Sequence, residues 1–146
     1  MRFSFADVQQ VARQCCGVYN DDVTIEAYMF SPDKQISKSL YITVSKDEIP
    51  LNKAIENGAI AAVLPIGAKV PKYTPTHFPV FFINNVLQGV YVLLDTYVNR
   101  FDKEGDKKTK PMCVDGVNDW LQTQHISEEE LIKWHKLLAK WQEVDK

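Results

Sequence analysis

The chain has 146 residues and a formal charge of −2 at pH 7, from 17 basic and 19 acidic side chains. Hydrophobic residues make up 45% and charged residues 25%, which excludes wholesale disorder. With a pI near 5.9 it also argues against a dedicated nucleic-acid binder, which carries a basic excess. No apolar run approaches the ~18 residues of a membrane-spanning helix and Met1 to Asp7 lack the apolar core of a signal peptide, so the expectation is a soluble, cytoplasmic chain of about one domain.

Ser4 with Asp7 resembles a capping box, and Phe5, Val8, Val11, Ala12, Cys15 and Cys16 recur at helical spacing. A helix over 4–16 is predicted, with Gly17 just past its end. Three cysteines, Cys15, Cys16 and Cys113, make no disulfide framework and read as small apolar residues in a reducing compartment. Alternation and β-branching predict a strand over 23–30, a loop at Ser31-Pro32-Asp33-Lys34, and a second strand over 39–44. Pro50 suits a helix start, Leu51, Ala54 and Ile55 form one face, and Asn57-Gly58 ends it.

Ala59 to Pro65 is a continuous apolar run, the pattern of a strand buried on both faces. A proline-rich loop with Pro71, Pro75 and His77 leads to a second buried strand over 79–83. Asn84 or Asn85 caps the longest helix, over 86–101, whose apolar face is broad. This order predicts an α/β domain over 1–101, with a mixed or mainly parallel sheet and crossover helices. Residues 102–111 read as a charged linker, and 112–114 as a short strand or loop. A final amphipathic helix begins at Ser127, with Glu130 completing a capping box and a Glu129–Lys133 pair on its surface. Leu131, Trp134, Leu138 and Trp141 share one stripe of that helix. Such a stripe has two destinations: the chain's own sheet domain, or a second copy or another protein.

The chain contains no G-x-S-x-G, H-E-x-x-H, G-x-x-x-x-G-K-[ST] or Gly-x-Gly. His77, His125 and His135 are scattered, and no cysteine lies at metal-ligand spacing. Catalytic residues, metals and cofactors are therefore not expected.

The element order and one segment nevertheless carry a family resemblance. The helix at 4–16, the strand ending Ala27-Tyr28, the polar loop at Ser31, the strand Leu40-Tyr41-Ile42-Thr43-Val44, and Ala54-Ile55-Glu56-Asn57-Gly58-Ala59 followed by Ile60-Ala61-Ala62-Val63 together resemble the N-terminal domain of the Mur ligases. The likeness is greatest to the branch that adds the third amino acid of the peptidoglycan stem. Pro79-Val80-Phe81-Phe82-Ile83 and the helix over 86–101 take the places of that family's next strand and long helix.

In that family the domain holds the uridine diphosphate end of a nucleotide–muramic acid substrate. The resemblance therefore implies a nucleotide-sugar or cell-wall-precursor site among the loops 30–38, 45–49 and 66–78. Ser31 matches the serine of the family's uridine loop, and Lys34, Lys46 and Lys72 are the candidate cations for the pyrophosphate. Lys38-Ser39 stands where the family has Pro-Gly-Asp, and 45–49 departs from its Asp-Gly-His-Asp-Phe loop. Farther on, the family enters its ATP domain through a Gly-Thr-Asn-Gly-Lys-Thr-Thr loop. Gly116 and Asn118 match it, but Asp119 replaces a glycine and Trp120 the lysine. A phosphate loop works through glycine-permitted backbone N–H groups and a lysine charge, so neither ATP binding nor ligase activity is expected. The implied function is a stand-alone, non-catalytic domain that binds a UDP-sugar. The alternative is a structural or interaction module associating, as a homodimer or with another protein, through Trp134, Leu138 and Trp141. Neither implies a nucleic-acid or membrane partner.

Overall fold

The computed structural model describes residues 5–10, 12, 14–16, 25–44, 46–75, 78–104, 120–122 and 126–144, without the side chains of 6, 16, 97–104 and 140–144. Helix α1 (Phe5–Gln9) and strand β1 (Gln14–Cys16) come first. Strands β2 (Ala27–Met29) and β3 (Ser39–Ile42), helix α2 (Leu51–Glu56) and strands β4 (Ala59–Pro65) and β5 (Val80–Ile83) follow. Helices α3 (Val86–Glu104) and α4 (Glu128–Val144) complete the order, with a helical turn at 120–122 between them. Among the described residues the sheet has five strands in the order β1-β5-β4-β3-β2. Strands β2 to β5 are parallel neighbours in chain order, and β1 joins β5 antiparallel. The fold is therefore α/β with a mixed, mainly parallel sheet.

Side-chain alternation sends each strand's residues to two separate cores. Tyr28, Leu40, Ile42, Ala61, Val63, Phe81 and Ile83 face α1, α3, α4 and the 120–122 turn. Met29, Tyr41, Ala62, Leu64, Val80 and Phe82 face α2 and the segments beside it. Strand β4 sits at the centre, and its only incompletely buried residue is Ile60. Ile60 and Ala61 both turn toward the α3 core because the register slips there: Ser39 pairs with Ala59, but Leu40 with Ala61. This is a bulge, in which one extra residue breaks the alternation. A parallel strand buried on both faces can be this uniformly apolar because no face has to meet water.

The caps follow their local chemistry. Asn85 Oδ1 accepts from Gln88 N at 3.1 Å and Ser127 Oγ from Glu130 N at 3.2 Å, each satisfying a donor that a helix start leaves orphaned. At Gly89 of α3 an added Cβ would lie 2.8 Å from Ile83 Cγ2, so the missing side chain lets α3 lie close against β5.

The sequence reading departs from the structure at several points. The helix expected over 4–16 stops at Gln9, and Gln14–Cys16 is a strand. Its backbone pairs with Val80, Phe81 and Phe82 and covers what would be an open edge of β5, a gain that outweighs helical spacing in so short a segment. Cys15 is half-buried against the α3 core. Of the strand expected over 23–30, the structure shows Ala27–Met29, paired with Ser39, Leu40 and Tyr41 of β3, and residues 23 and 24 lie outside the described residues; the strand expected over 39–44 ends at Ile42. Helix α3 runs to Glu104, three residues into the segment read as linker. Glu129 and Lys133 form no ion pair among the described residues; on so exposed a face such a pair is worth only a few tenths of a kcal/mol. The rest of the linker and the candidate strand at 112–114 lie outside the described residues.

Ala62 is fully buried at the centre of β4. Ala62→Asp places an unpaired carboxylate there, which costs several kcal/mol, a large share of a small domain's ~5–15 kcal/mol of stability. The variant is expected to lose its cooperative thermal transition in circular dichroism. A melting temperature within a degree or two of wild type would contradict the placement of β4.

Candidate functional site at the carboxyl ends of the parallel strands

Open parallel sheets offer ligands the loops that leave the carboxyl ends of their strands. Here those loops gather around the short helix α2. Its N-cap is Pro50, which has no side-chain acceptor. The orphaned donor at Asn52 N is met instead from 21 residues away: Tyr73 Oη accepts from it at 3.1 Å. The same hydroxyl lies 3.3 Å from the Ile49 carbonyl and 3.1 Å from Asn52 Oδ1, either of which can take its single proton. Lys69 N donates to Lys46 O at 2.8 Å, and Lys69 Nζ lies 3.5 Å from Asp47. The segment after β3 and the segment after β4 are thereby laid side by side.

The loop after β2 is fastened along the other flank of α2. Asp33 pairs with Lys53, and Asn57 Nδ2 donates to the Pro32 carbonyl at 2.6 Å. Ile36 N donates to Asn57 O at 2.7 Å. Gly58 closes this end at φ 114°, and a Cβ there would lie 2.2 Å from the Ile36 carbonyl oxygen, so only glycine fits.

Tyr41, on β3, is buried in the core beneath α2 with Leu51 and Ala54. Burial pushes its phenol above the ordinary value of 10.0; a hydrogen bond with Thr43 opposes the rise, and Asp33 and Tyr73 add to it. The phenol therefore keeps its proton at neutral pH and lies within electrostatic reach of both flanks.

The candidate ligand residues fall into two groups. Lys46 and Lys72 lie on the paired segments that flank the start of α2, whereas Ser31 and Lys34 lie in the loop on its other flank. Ser31 Oγ accepts from Asp33 N at 3.4 Å, so the hydroxyl helps shape its own loop. Lys34, Lys46 and Lys72 are exposed. Among the described residues none of the three forms an ion pair, whereas Lys38, Lys53 and Lys69 each hold an acid. Sequence reasoning missed Tyr41, Asn52, Lys53 and Tyr73. The one available signal was Pro50, which cannot cap a helix with its own side chain and so calls for an outside acceptor.

The C-terminal stripe has an intrachain destination. Trp134 is 2% exposed and meets Tyr91 of α3 edge to face at 5.3 Å. It also meets Trp120 at 6.1 Å, and Trp120 packs on Phe30 at 5.0 Å. Leu138 is half-buried against the same core; the side chain of Trp141 lies outside the described residues. The Trp134 ring thus fills the chain's own core rather than an exposed surface. Trp120, read from the resemblance as standing at a phosphate-loop lysine, is likewise a core side chain, 7% exposed.

Among the described residues there is no cluster of three or more His, Cys, Asp or Glu side chains suited to a metal ion, and no helix long and apolar enough to cross a membrane. No protein-family model matches the chain, and no curated protein matches it.

The raised ionisation of Tyr41 sets a pH dependence. Above pH 10 the unfolded chain releases this proton while the folded chain keeps it, so stability falls as pH rises from the unfolded value through the folded one. In urea unfolding from pH 9 to 11, wild type is expected to lose stability more steeply than Tyr41→Phe. Equal pH slopes would show that the phenol is not held protonated by the fold.

Proposed function

We propose that the chain is a non-catalytic binding module for an anionic nucleotide sugar, in keeping with its resemblance to the UDP-binding domain of the Mur ligases. One observation carries this reading: the loops after β2 and β4 are fastened to α2, the loop after β3 is bonded to the one after β4, and Lys34, Lys46 and Lys72 stand on these loops without acidic partners among the described residues. Cations held on anchored backbone, without an acidic partner among the described residues, suit a pyrophosphate, whose oxygens accept charge-assisted hydrogen bonds. Fastening also lowers the ordering cost of binding, because the loops are already positioned. Ser31 would contribute its hydroxyl from the loop that corresponds to the family's uridine loop.

Isothermal titration with UDP and with UDP-linked muramic acid tests this. Saturable binding that weakens with added salt is expected. The double variant Lys46→Ala/Lys72→Ala should weaken it at least tenfold, or about 1.4 kcal/mol. Absence of binding at millimolar ligand, or affinity indifferent to both lysines, would contradict the proposal.

A further inference from the structure

Tyr73 combines two properties that rarely coincide. It is one of the few large apolar-bodied side chains in the open, 54% exposed, yet its hydroxyl is fixed at the start of α2 by Asn52 N, Asn52 Oδ1 and the Ile49 carbonyl. A half-exposed ring held by its far end offers apolar surface to a ligand at little further entropic cost. Lys72 precedes it in the chain, and Lys46 lies on the segment hydrogen-bonded alongside. Val44, 39% exposed, leaves β3 on the same rim. A half-exposed aromatic ring beside lysines that hold no acid among the described residues matches the two halves of a nucleotide, a planar base and an anionic tail.

We propose that the Tyr73 ring is the platform on which the base of a nucleoside diphosphate stacks, with Lys46 and Lys72 facing its phosphates. This inference rests on the nucleotide reading above and assigns the base-binding residue of that site. The ring supplies affinity for the base, and the hydroxyl supplies its orientation.

The test titrates UDP and, as a probe without a base, inorganic pyrophosphate against wild type, Tyr73→Ala and Tyr73→Phe, with circular dichroism to establish that each variant is folded. Tyr73→Ala should weaken UDP at least tenfold and leave pyrophosphate within twofold of wild type. Tyr73→Phe keeps the ring and loses only the tether, so UDP should weaken no more than about threefold. Unchanged UDP affinity in Tyr73→Ala overturns the stacking role while leaving the nucleotide reading intact. An equal loss of UDP and pyrophosphate in Tyr73→Ala, or a loss in Tyr73→Phe as large as in Tyr73→Ala, also overturns it, because the hydroxyl anchor alone would then matter. Wild type that binds pyrophosphate but not UDP, or neither, overturns both proposals together.

Discussion

The rest of the structure depends on keeping water from both faces of β4. Ala61, Ala62, Val63 and Leu64 are all fully buried, and they alternate between two cores that do not share a side chain. A strand with no polar face cannot lie at a surface, so each side of the sheet must be roofed. The two roofs are unequal. On one side α1, α3 and α4 form a broad helical layer; on the other, six-residue α2 covers the sheet only with help from the loops around it.

The broad roof is completed from the far end of the chain. A succession of rings runs from Tyr28 to Phe30, Trp120, Trp134 and Tyr91, joining β2, the 120–122 turn, α4 and α3. Truncating a packed tryptophan costs roughly 3–5 kcal/mol, so a link made by two of them is large against the stability of a small domain. The narrow roof is held from outside. A single turn and a half of helix has few bonds of its own, and bonds from Tyr73, Asp33 and Ile36 hold it in place. Those same bonds fasten two flanks: Tyr73 holds the segment that carries Lys72 against the start of α2, and Asp33 and Ile36 hold the segment that carries Lys34 along its length and far end. Support of the core and fastening of the surrounding loops are here one arrangement.

What the sequence disclosed was what local pattern determines. The all-apolar run from Ala59 to Pro65 and the strand at Val80–Ile83 are legible because burial on both faces leaves no polar residue to interrupt them. The caps at Asn85 and Ser127 are legible because capping acts over three residues, and Gly58 because its conformation suits few other residues. Gln14–Cys16 was misread because three residues carry no period, and its pairing partner lies more than sixty residues away. The destination of Trp134 was open for a related reason: an apolar stripe shows that a partner exists, not which one. At the site, Ser31 and the three lysines could be named from a resemblance. The residues that position their loops could not, because the link from Tyr73 to Asn52 and that from Asp33 to Lys53 each span about twenty residues and leave no periodic trace.

The central claim is that α4 belongs to the same cooperative core as the buried strands, through Trp134, Trp120 and Tyr91. Native-state hydrogen exchange measures this residue by residue, because amides that open only with the whole domain share one exchange free energy. The account predicts that the amides of Val63, Leu64 and Phe81 and those of Trp134, Leu137 and Leu138 form one slowest-exchanging set, all opening at the global unfolding free energy. Exchange of the α4 amides at a free energy several kcal/mol below that of β4 would contradict it.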